Sequence, residues 1–289
     1  MLRSPYNTCL TMNLIHHRYG KARVRLMKVT RENTRHSLKE LSVSVLLEGD
    51  FSRSYTDSDN RLVVPTDTIK NTVQLLALQK LKGDNEEFGL VLGAHFLSTY
   101  PQVQRVEVRL SEHCWERMNV GAKPHPHSFQ ERSAATPFTT VVSTRDRQQV
   151  ESGIDDLLIL KTTGSGFADF ARDKFTTLRE THDRILATNL KATWTYEKSP
   201  RSYSETNSAI LAAMLDVFAV EYSPSVQRTL FRIGEAALSA APEISKVSLS
   251  LPNRHCLLVD FSTFGVENKN ELFVPTDEPH GVIEGTVTR

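Results

Sequence analysis

Cysteine is scarce in this chain: Cys9, Cys114 and Cys256 stand far apart, and no CxxC pair occurs. Neither a disulfide framework nor a spaced zinc or dithiol motif can be built from them, which fits a reducing cytoplasm. An excess of one charge is missing too. Lys plus Arg number 35 against 34 Asp plus Glu, a net charge of +1, so no global field gathers nucleic acid or an acidic membrane, and an anionic substrate must be met by local charges. No apolar run approaches the ~18 residues that span a bilayer, and Met1 to Arg18 lacks the apolar core of a signal peptide. Residues 1–18 read as a frayed lead. The end Gly285-Thr286-Val287-Thr288-Arg289 is not a Ser-Lys-Leu type of address, and a bacterial cytoplasmic protein is the simplest expectation. GxGxxG, GKS or GKT, and GxSxG are all absent, so nothing announces a nicotinamide, a flavin, a nucleoside triphosphate or a hydrolase elbow.

What is present is the composition of a soluble globular protein, 39% hydrophobic and 24% charged over 289 residues, enough for one large or two ordinary domains. Apolar residues alternate over Lys21 to Thr30 and Leu38 to Leu47, which predicts two antiparallel strands with one wet face. After Val63-Val64-Pro65, either Thr66 or Asp67 is placed to cap a helix carrying Ile69, Val73, Leu76, Ala77 and Leu81. A second helix runs through Phe88, Leu92 and Phe96. Val103 to Leu110 alternates again, with a slip at Val103 that a bulge can absorb, and Ser128 to Arg132 reads as the last strand of this half.

The order then repeats. Strands are expected over Phe138 to Val142, Leu157 to Thr162 and Lys191 to Tyr196, helices over Ser204 to Ala219 and Ser225 to Ala240, and strands over Lys246 to Ser250 and His255 to Phe261. The reading is a tandem α+β architecture of antiparallel sheets with helices on one face. Its expected parts are 1–18 as lead, 19–136 and 137–281 as the two halves, and 282–289 as a C-terminal tail. The repeat lies in element order and scarcely in residues.

Several side chains can carry chemistry. In Leu251-Pro252-Asn253-Arg254-His255, alternation along a strand puts Asn253 and His255 on one face, an amide beside the side chain that titrates nearest neutrality. The plainer use is a strand-end histidine capped by its neighbour. Lys21 follows Tyr19-Gly20 at a strand entrance and becomes a base if desolvated. Thr66 and Asp67 are ordinary helix-cap residues that also present a hydroxyl and free N–H groups to an anion. Arg184 and Gln227 together make a planar clamp for a ring bearing carbonyl and N–H groups, and Phe167, after Gly164-Ser165-Gly166, can lie flat on such a ring. A zinc set from His113, His125 and His127 lacks ligand spacing, and no metal is expected.

The segments Tyr19-Gly20-Lys21, Val64-Pro65-Thr66-Asp67-Thr68-Ile69, Phe167 with Arg172-Asp173-Lys174-Phe175-Thr176-Thr177-Leu178, Asp183-Arg184-Ile185-Leu186-Ala187-Thr188, Tyr222-Ser223-Pro224-Ser225-Val226-Gln227 and Leu251-Pro252-Asn253-Arg254-His255 together resemble the urate oxidase (uricase) family, from about Tyr19 to Gly281. The resemblance implies a tunnelling fold: two such halves per subunit, with sheets closing into a barrel in a homotetramer. It also implies active sites between subunits. Urate, dioxygen and water would give 5-hydroxyisourate and hydrogen peroxide with no metal or organic cofactor. Lys21, Thr66 and His255 would form a proton relay, and Asn253 would hold dioxygen and then water. Thr66, Asp67, Phe167, Arg184, Val226 and Gln227 would bind the purine. Pro65 stands where many members carry a small residue.

Overall fold

A computed structural model describes residues 12–132 and 135–289. Cys9 and the lead as far as residue 11 lie outside the described residues. Residues 12–18 have no regular structure, and the chain enters a long hairpin of β1 (Tyr19–Glu32) and β2 (Arg35–Gly49). In β2 the alternate residues Leu41, Val43, Val45 and Leu47 are all fully buried. They put the apolar face of the strand against helices and leave the other face to polar side chains.

The single-turn α1 (Ser52–Thr56) leads to α2 (Thr66–Lys80) and α3 (Asn85–Thr99), and then to β3 (Val103–His113) beside β2. The cap expected from Thr66 or Asp67 is not made. Pro65 occupies the cap position, Thr66 is the first helical residue, and no side chain caps the end. Proline sets the turn by its fixed φ rather than by a hydrogen bond. The strand expected over Ser128 to Arg132 belongs to a separate ribbon of β4 (Trp115–Val120) and β5 (Lys123–Glu131), outside the main sheet.

β6 (Thr136–Thr144) pairs with β3 and turns back into β7 (Gln148–Lys161), which pairs with β8 (Leu186–Tyr196). α4 (Tyr203–Val220) and α5 (Val226–Ala240) are capped by Ser202 and Ser225, whose hydroxyls accept the N–H groups of Glu205 and Arg228. β9 (Ile244–Ser250), β10 (Asn253–Leu258), β11 (Phe273–Gly281) and β12 (Glu284–Thr288) complete a ten-stranded antiparallel sheet. The stretch expected to be a tail is therefore part of the fold: β12 pairs with β9 and buries Val287.

Strand pairing reveals the repeat as β1-β2-α2-α3-β3-β6 followed by β7-β8-α4-α5-β9-β12. On this pairing the change of half is drawn at the β6–β7 turn, residues 145–147, with β6 counted in the first half. Matched in this way, the halves share devices at the same spacing. Gly20, Arg23 and Lys28 of β1 correspond to Gly153, Asp156 and Lys161 of β7. A Cβ on Gly20 would lie 1.8 Å from Val45 O, and one on Gly153 2.3 Å from Ala192 O, so neither position admits a side chain. Arg23 and Asp156 both take left-handed φ, 57° and 58°, inside bulges of their strands.

Lys28 donates to Ala77 O, Leu78 O and Leu81 O at the end of α2, at 2.9, 3.0 and 2.6 Å. Lys161 donates to Glu221 O at the end of α4, 2.7 Å away. Arg289 does the same for α5 through Ala241 O at 3.1 Å and Leu238 O. Each places a cation on the negative end of a helix and satisfies carbonyls that have no partner within it. Burial pushes the Lys161 ammonium below its ordinary pKa, and Glu221 opposes that shift. Lys28→Met is expected to destabilise the protein by about 1–2 kcal/mol, which lowers the midpoint by ~2–4 °C per kcal/mol in a domain of this size. Thermal unfolding of the two proteins at one scan rate checks this; an unchanged midpoint would remove Lys28 as a cap.

Candidate functional site

The site residues fall in two groups, each held by a different edge of the sheet. At the β1 edge, Gly20 lets the strand press on β2, and the bulge directly after Lys21 re-aims the chain, with Arg23 N–H bonded to Ser44 Oγ at 3.0 Å. Tyr19 packs edge-on against Phe51, ring centroids 4.9 Å apart, and its hydroxyl accepts the Val64 N–H at 2.7 Å. This ties the entrance of β1 to the segment that delivers Thr66 and Asp67 at the exposed start of α2. Lys70 and Asn71 bond the Asp67 carboxylate. Asp67 sits below the ordinary carboxylate pKa, chiefly through Lys70, with Asn71 and the Lys21 charge adding to the effect. What Asp67 offers a ligand is thus its backbone N–H at a helix start whose N–H groups are otherwise free.

At the other edge, the long connection between β7 and β8 is closed by Asp183. Its carboxylate accepts the Thr163 hydroxyl at 2.8 Å and the Gly164 N–H at 3.1 Å. Gly164 N–H is followed by a ladder that clamps the loop to the start of α5: Gly166 N–H to Ser223 O at 2.8 Å and Ser223 N–H to Gly164 O at 2.9 Å. Phe167 and Thr181 exchange backbone bonds at 2.7 and 3.0 Å, and Arg184 N–H reaches Ser165 O at 2.8 Å. Gly166 is needed here, because a Cβ would lie 2.3 Å from the Tyr222 hydroxyl, which itself donates to His182 O. Phe167, Arg184, Val226 and Gln227 therefore belong to one braced unit.

Arg184 makes no ion pair among the described residues, and its Nε is buried without a partner. Its neighbour Asp183 is spent on the loop. Burial lowers the Arg184 pKa and Tyr222 opposes that, yet a guanidinium stays charged in any protein setting, so a half-buried cation without an ion pair stands here. The guanidinium carbon lies 5.5 Å from the centre of the Phe167 ring.

Pro252 breaks the strand pairing. β9 pairs with the far part of β8, while Asn253 and Arg254 of β10 pair with Thr188 and Ala187 near its start, just beyond Arg184 and Ile185. The result is a cavity of about 460 Å³ lined by Arg184, Asn253, His255, Cys256 and Phe273 among others. Arg254, Cys256, Leu257 and Leu258 line it too, and the pairing of β10 with β11 shifts register between Asn253 and His255, so the simple alternation expected to put these two on one face is interrupted there. Neither the Asn253 amide nor the His255 ring makes a side-chain hydrogen bond among the described residues. Arg254 has its own partner in Asn189 Oδ1, 3.0 Å away.

The structure thus joins Arg184 with Asn253 and His255, and Phe167 with Arg184, and fixes Val226 and Gln227 through Ser223. It does not bring Lys21, Thr66 or Asp67 to them within one chain. β1 and β10 stand six steps apart in the sheet, roughly 30 Å along it, too far for a proton relay. Elsewhere, His113 bonds Ser42 at 3.1 Å, whereas His125 stacks edge-on with His127 at 4.5 Å. The Asp183 clamp escaped sequence reasoning, since its partners Thr163 and Gly164 are remote in the chain; the left-handed Gly164, φ 72°, is the one local hint.

A sequence-family model described as Uricase matches residues 17–142 and 150–284. The uricase of Dictyostelium discoideum is 46% identical over 280 residues, 96% of this chain and 97% of that one. That of Oryctolagus cuniculus is 40% identical over 278 residues, 94% and 93% of the two chains. The crystal structure of uricase from Arthrobacter globiformis superposes with a TM-score of 0.93 at 39% identity, covering 96% of each chain. Urate oxidase of Bacillus sp. TB-90, at 21% identity and a TM-score of 0.82 over 95% of this chain, shares the fold.

Asp183→Ala should leave the global unfolding midpoint within about 2 °C, yet raise amide hydrogen exchange of residues 163–184 by ~10-fold or more, as hydrogen bonds to a charged group are lost locally. Exchange monitored by mass spectrometry reads this directly, and unchanged protection of the loop would show that Asp183 does not hold it.

Proposed function

The chain belongs to the uricase family, and we propose that it oxidises urate with dioxygen and water to 5-hydroxyisourate and hydrogen peroxide, at sites completed by two neighbouring chains. The observation that carries the two-chain reading is internal. At the β6–β7 junction one chain already joins the last strand of one half to the first strand of the next. There Gly153 and Ile154 of β7, Asn85 and Glu86 at the start of α3, Glu112 of β3 and Ser204 at the start of α4 line one cavity of about 210 Å³. By the repeat, their counterparts are Gly20 and Lys21, Val226 and Gln227, Asn253, and Asp67. A second chain laid on the open edges in the same manner assembles those counterparts. Closure of this kind, repeated, gives the barrel of a tunnelling fold and a homotetramer.

The chemistry follows from what the residues offer. Ground-state dioxygen resists two-electron attack, and enzymes usually meet that with a metal or flavin; an electron-rich urate dianion can itself donate one electron at a time. The tasks left to the protein are deprotonation, orientation and proton delivery. Lys21, acting through the Thr66 hydroxyl of the same chain, serves as the base system, and His255 of the neighbouring chain carries the proton onward. The half-buried Arg184 cation and the Gln227 amide grip the pyrimidine edge, helped by the Val226 backbone at the start of α5. Phe167 stacks on the ring. Thr66 and Asp67 N–H groups meet the opposite edge. Asn253, neutral and able both to donate and to accept, holds dioxygen over the ring and then the water that replaces it.

Lys21→Met is expected to lower turnover by about 10² or more, the scale of a lost acid/base contribution. Near-normal turnover by urate absorbance and peroxide release, in protein stripped of metal, would refute the base assignment. Thr66→Ala and Arg184→Gln, each inactive alone, should recover about a quarter of full activity when mixed and exchanged in equal amounts, since random pairing of two half-sites leaves that share intact. No recovery after proven subunit exchange would exclude a site shared between chains.

A further inference from the structure

The ring of Phe167 does not stand alone. It stacks on Phe170 with centroids 5.0 Å apart and planes 10° from parallel. The Arg172 guanidinium carbon lies 4.7 Å from the centre of the Phe170 ring, and Arg172 is itself held by Glu180 at 3.2 Å and Leu178 O at 3.4 Å. With Arg184 over Phe167, four flat groups are linked in sequence: Arg184, Phe167, Phe170, Arg172. Neither phenylalanine belongs to the buried core. The segment between Phe167 and Thr181 has no helix or strand of its own. Asp169 takes a left-handed φ of 57°, and a turn is closed where Asp173 Oδ1 accepts the Phe175 N–H at 2.9 Å and the Thr176 hydroxyl at 3.0 Å. Phe175 and Leu178 project into solvent.

Backbone bonds to Thr181 fix where Phe167 starts but leave its two side-chain torsions free, so something else must set the plane of the ring. A parallel neighbour does this, because stacked aromatic rings prefer defined offsets. It also takes one of the two faces of Phe167 out of reach of a flat ligand. A charge over the far ring, itself anchored by a carboxylate, keeps Phe170 from turning away. We propose that Phe170, backed by Arg172, is a positioning residue that sets the plane of the Phe167 platform for a flat oxopurine, an inference resting on the reading of the site given above.

The test uses the full, assembled chain and its variants Phe170→Ala, Phe170→Leu, Phe170→Tyr and Arg172→Met. Two quantities are read, the Kd of xanthine by calorimetry as a flat oxopurine probe and steady-state kcat and KM for urate. Phe170→Ala and Phe170→Leu should raise the xanthine Kd and the urate KM by about 3- to 10-fold and change kcat by less than about twofold, while Phe170→Tyr stays within about twofold of the parent. Arg172→Met should raise both by about 2- to 3-fold. An unchanged xanthine Kd in Phe170→Leu, or Phe170→Tyr as impaired as Phe170→Leu, overturns the positioning role even if stability falls. A parent protein that binds xanthine but never consumes urate overturns the proposed activity alone, and one that binds no xanthine overturns both.

Discussion

The pairing of β6 with β7 makes one sheet of two repeated halves, and the position of every candidate site residue follows from it. The junction is pinned by a buried carboxylate. Glu86, 3% exposed, accepts the Thr139 hydroxyl at 3.1 Å, the Asn207 amide at 2.9 Å and the Ser152 hydroxyl. Asn207 in turn accepts Trp194 Nε1 at 2.8 Å and the Tyr196 hydroxyl at 2.6 Å. A carboxylate taken out of water must be hydrogen-bonded to be tolerated, and here the donors come from β6, β7 and α4. The two halves cannot slide without stranding it. With the centre fixed, β1 is left at one end of the sheet, and beyond β8 the other end divides into β9 with β12 and β10 with β11.

On the proposed two-chain reading, the same geometry occurs closed within one chain and open at its edges. At the closed junction Ile154 stands where the open one has Lys21, Glu86 stands for Gln227, Glu112 for Asn253 and Cys114 for His255. The short β1–β2 turn offers no counterpart of the long β7–β8 connection that carries Phe167. Glu112 is committed to Lys39 at 3.1 Å and Asn85 at 2.8 Å. Most of the polar groups at the closed junction are spent on one another, with Asn85 Oδ1 buried and unpartnered. At the other group of residues, Arg184 Nε, the Asn253 amide and the His255 ring make no hydrogen bond among the described residues.

Much of the fold was legible in the residues. Alternation along Leu41, Val43, Val45 and Leu47 and the spacing of Ile210, Met214 and Phe218 identify β2 and α4, because one-sided burial imposes those periods. Thr66 misled, since its chemistry suits a cap while Pro65 already fixes the turn. The strand Glu284–Thr288 was hidden because β12 has no strong pattern of its own and exists by pairing with β9. The repeat also hides in sequence: what is kept is spacing, as in Gly20 to Lys28 and Gly153 to Lys161, and no string of letters. Of the site, the Arg184, Asn253 and His255 cleft could be suspected from local composition. The Asp183 clamp, the Tyr222 brace and the Phe170 stack depend on partners distant in the chain, and no local rule reports them.

An unpaired outer strand is also a hazard, for its free N–H and C=O groups will template any other edge. β1 carries Lys21, Arg23, Arg25, Lys28 and Arg31 against Glu32 alone, and although Lys28 is taken up by α2 and Arg25 by Glu40, Lys21, Arg23 and Arg31 leave a basic margin. Two copies brought together β1 to β1 would set like charges side by side, which disfavours that mispairing. Edge-to-edge aggregation through the bare strand is thereby discouraged by repulsion between like charges.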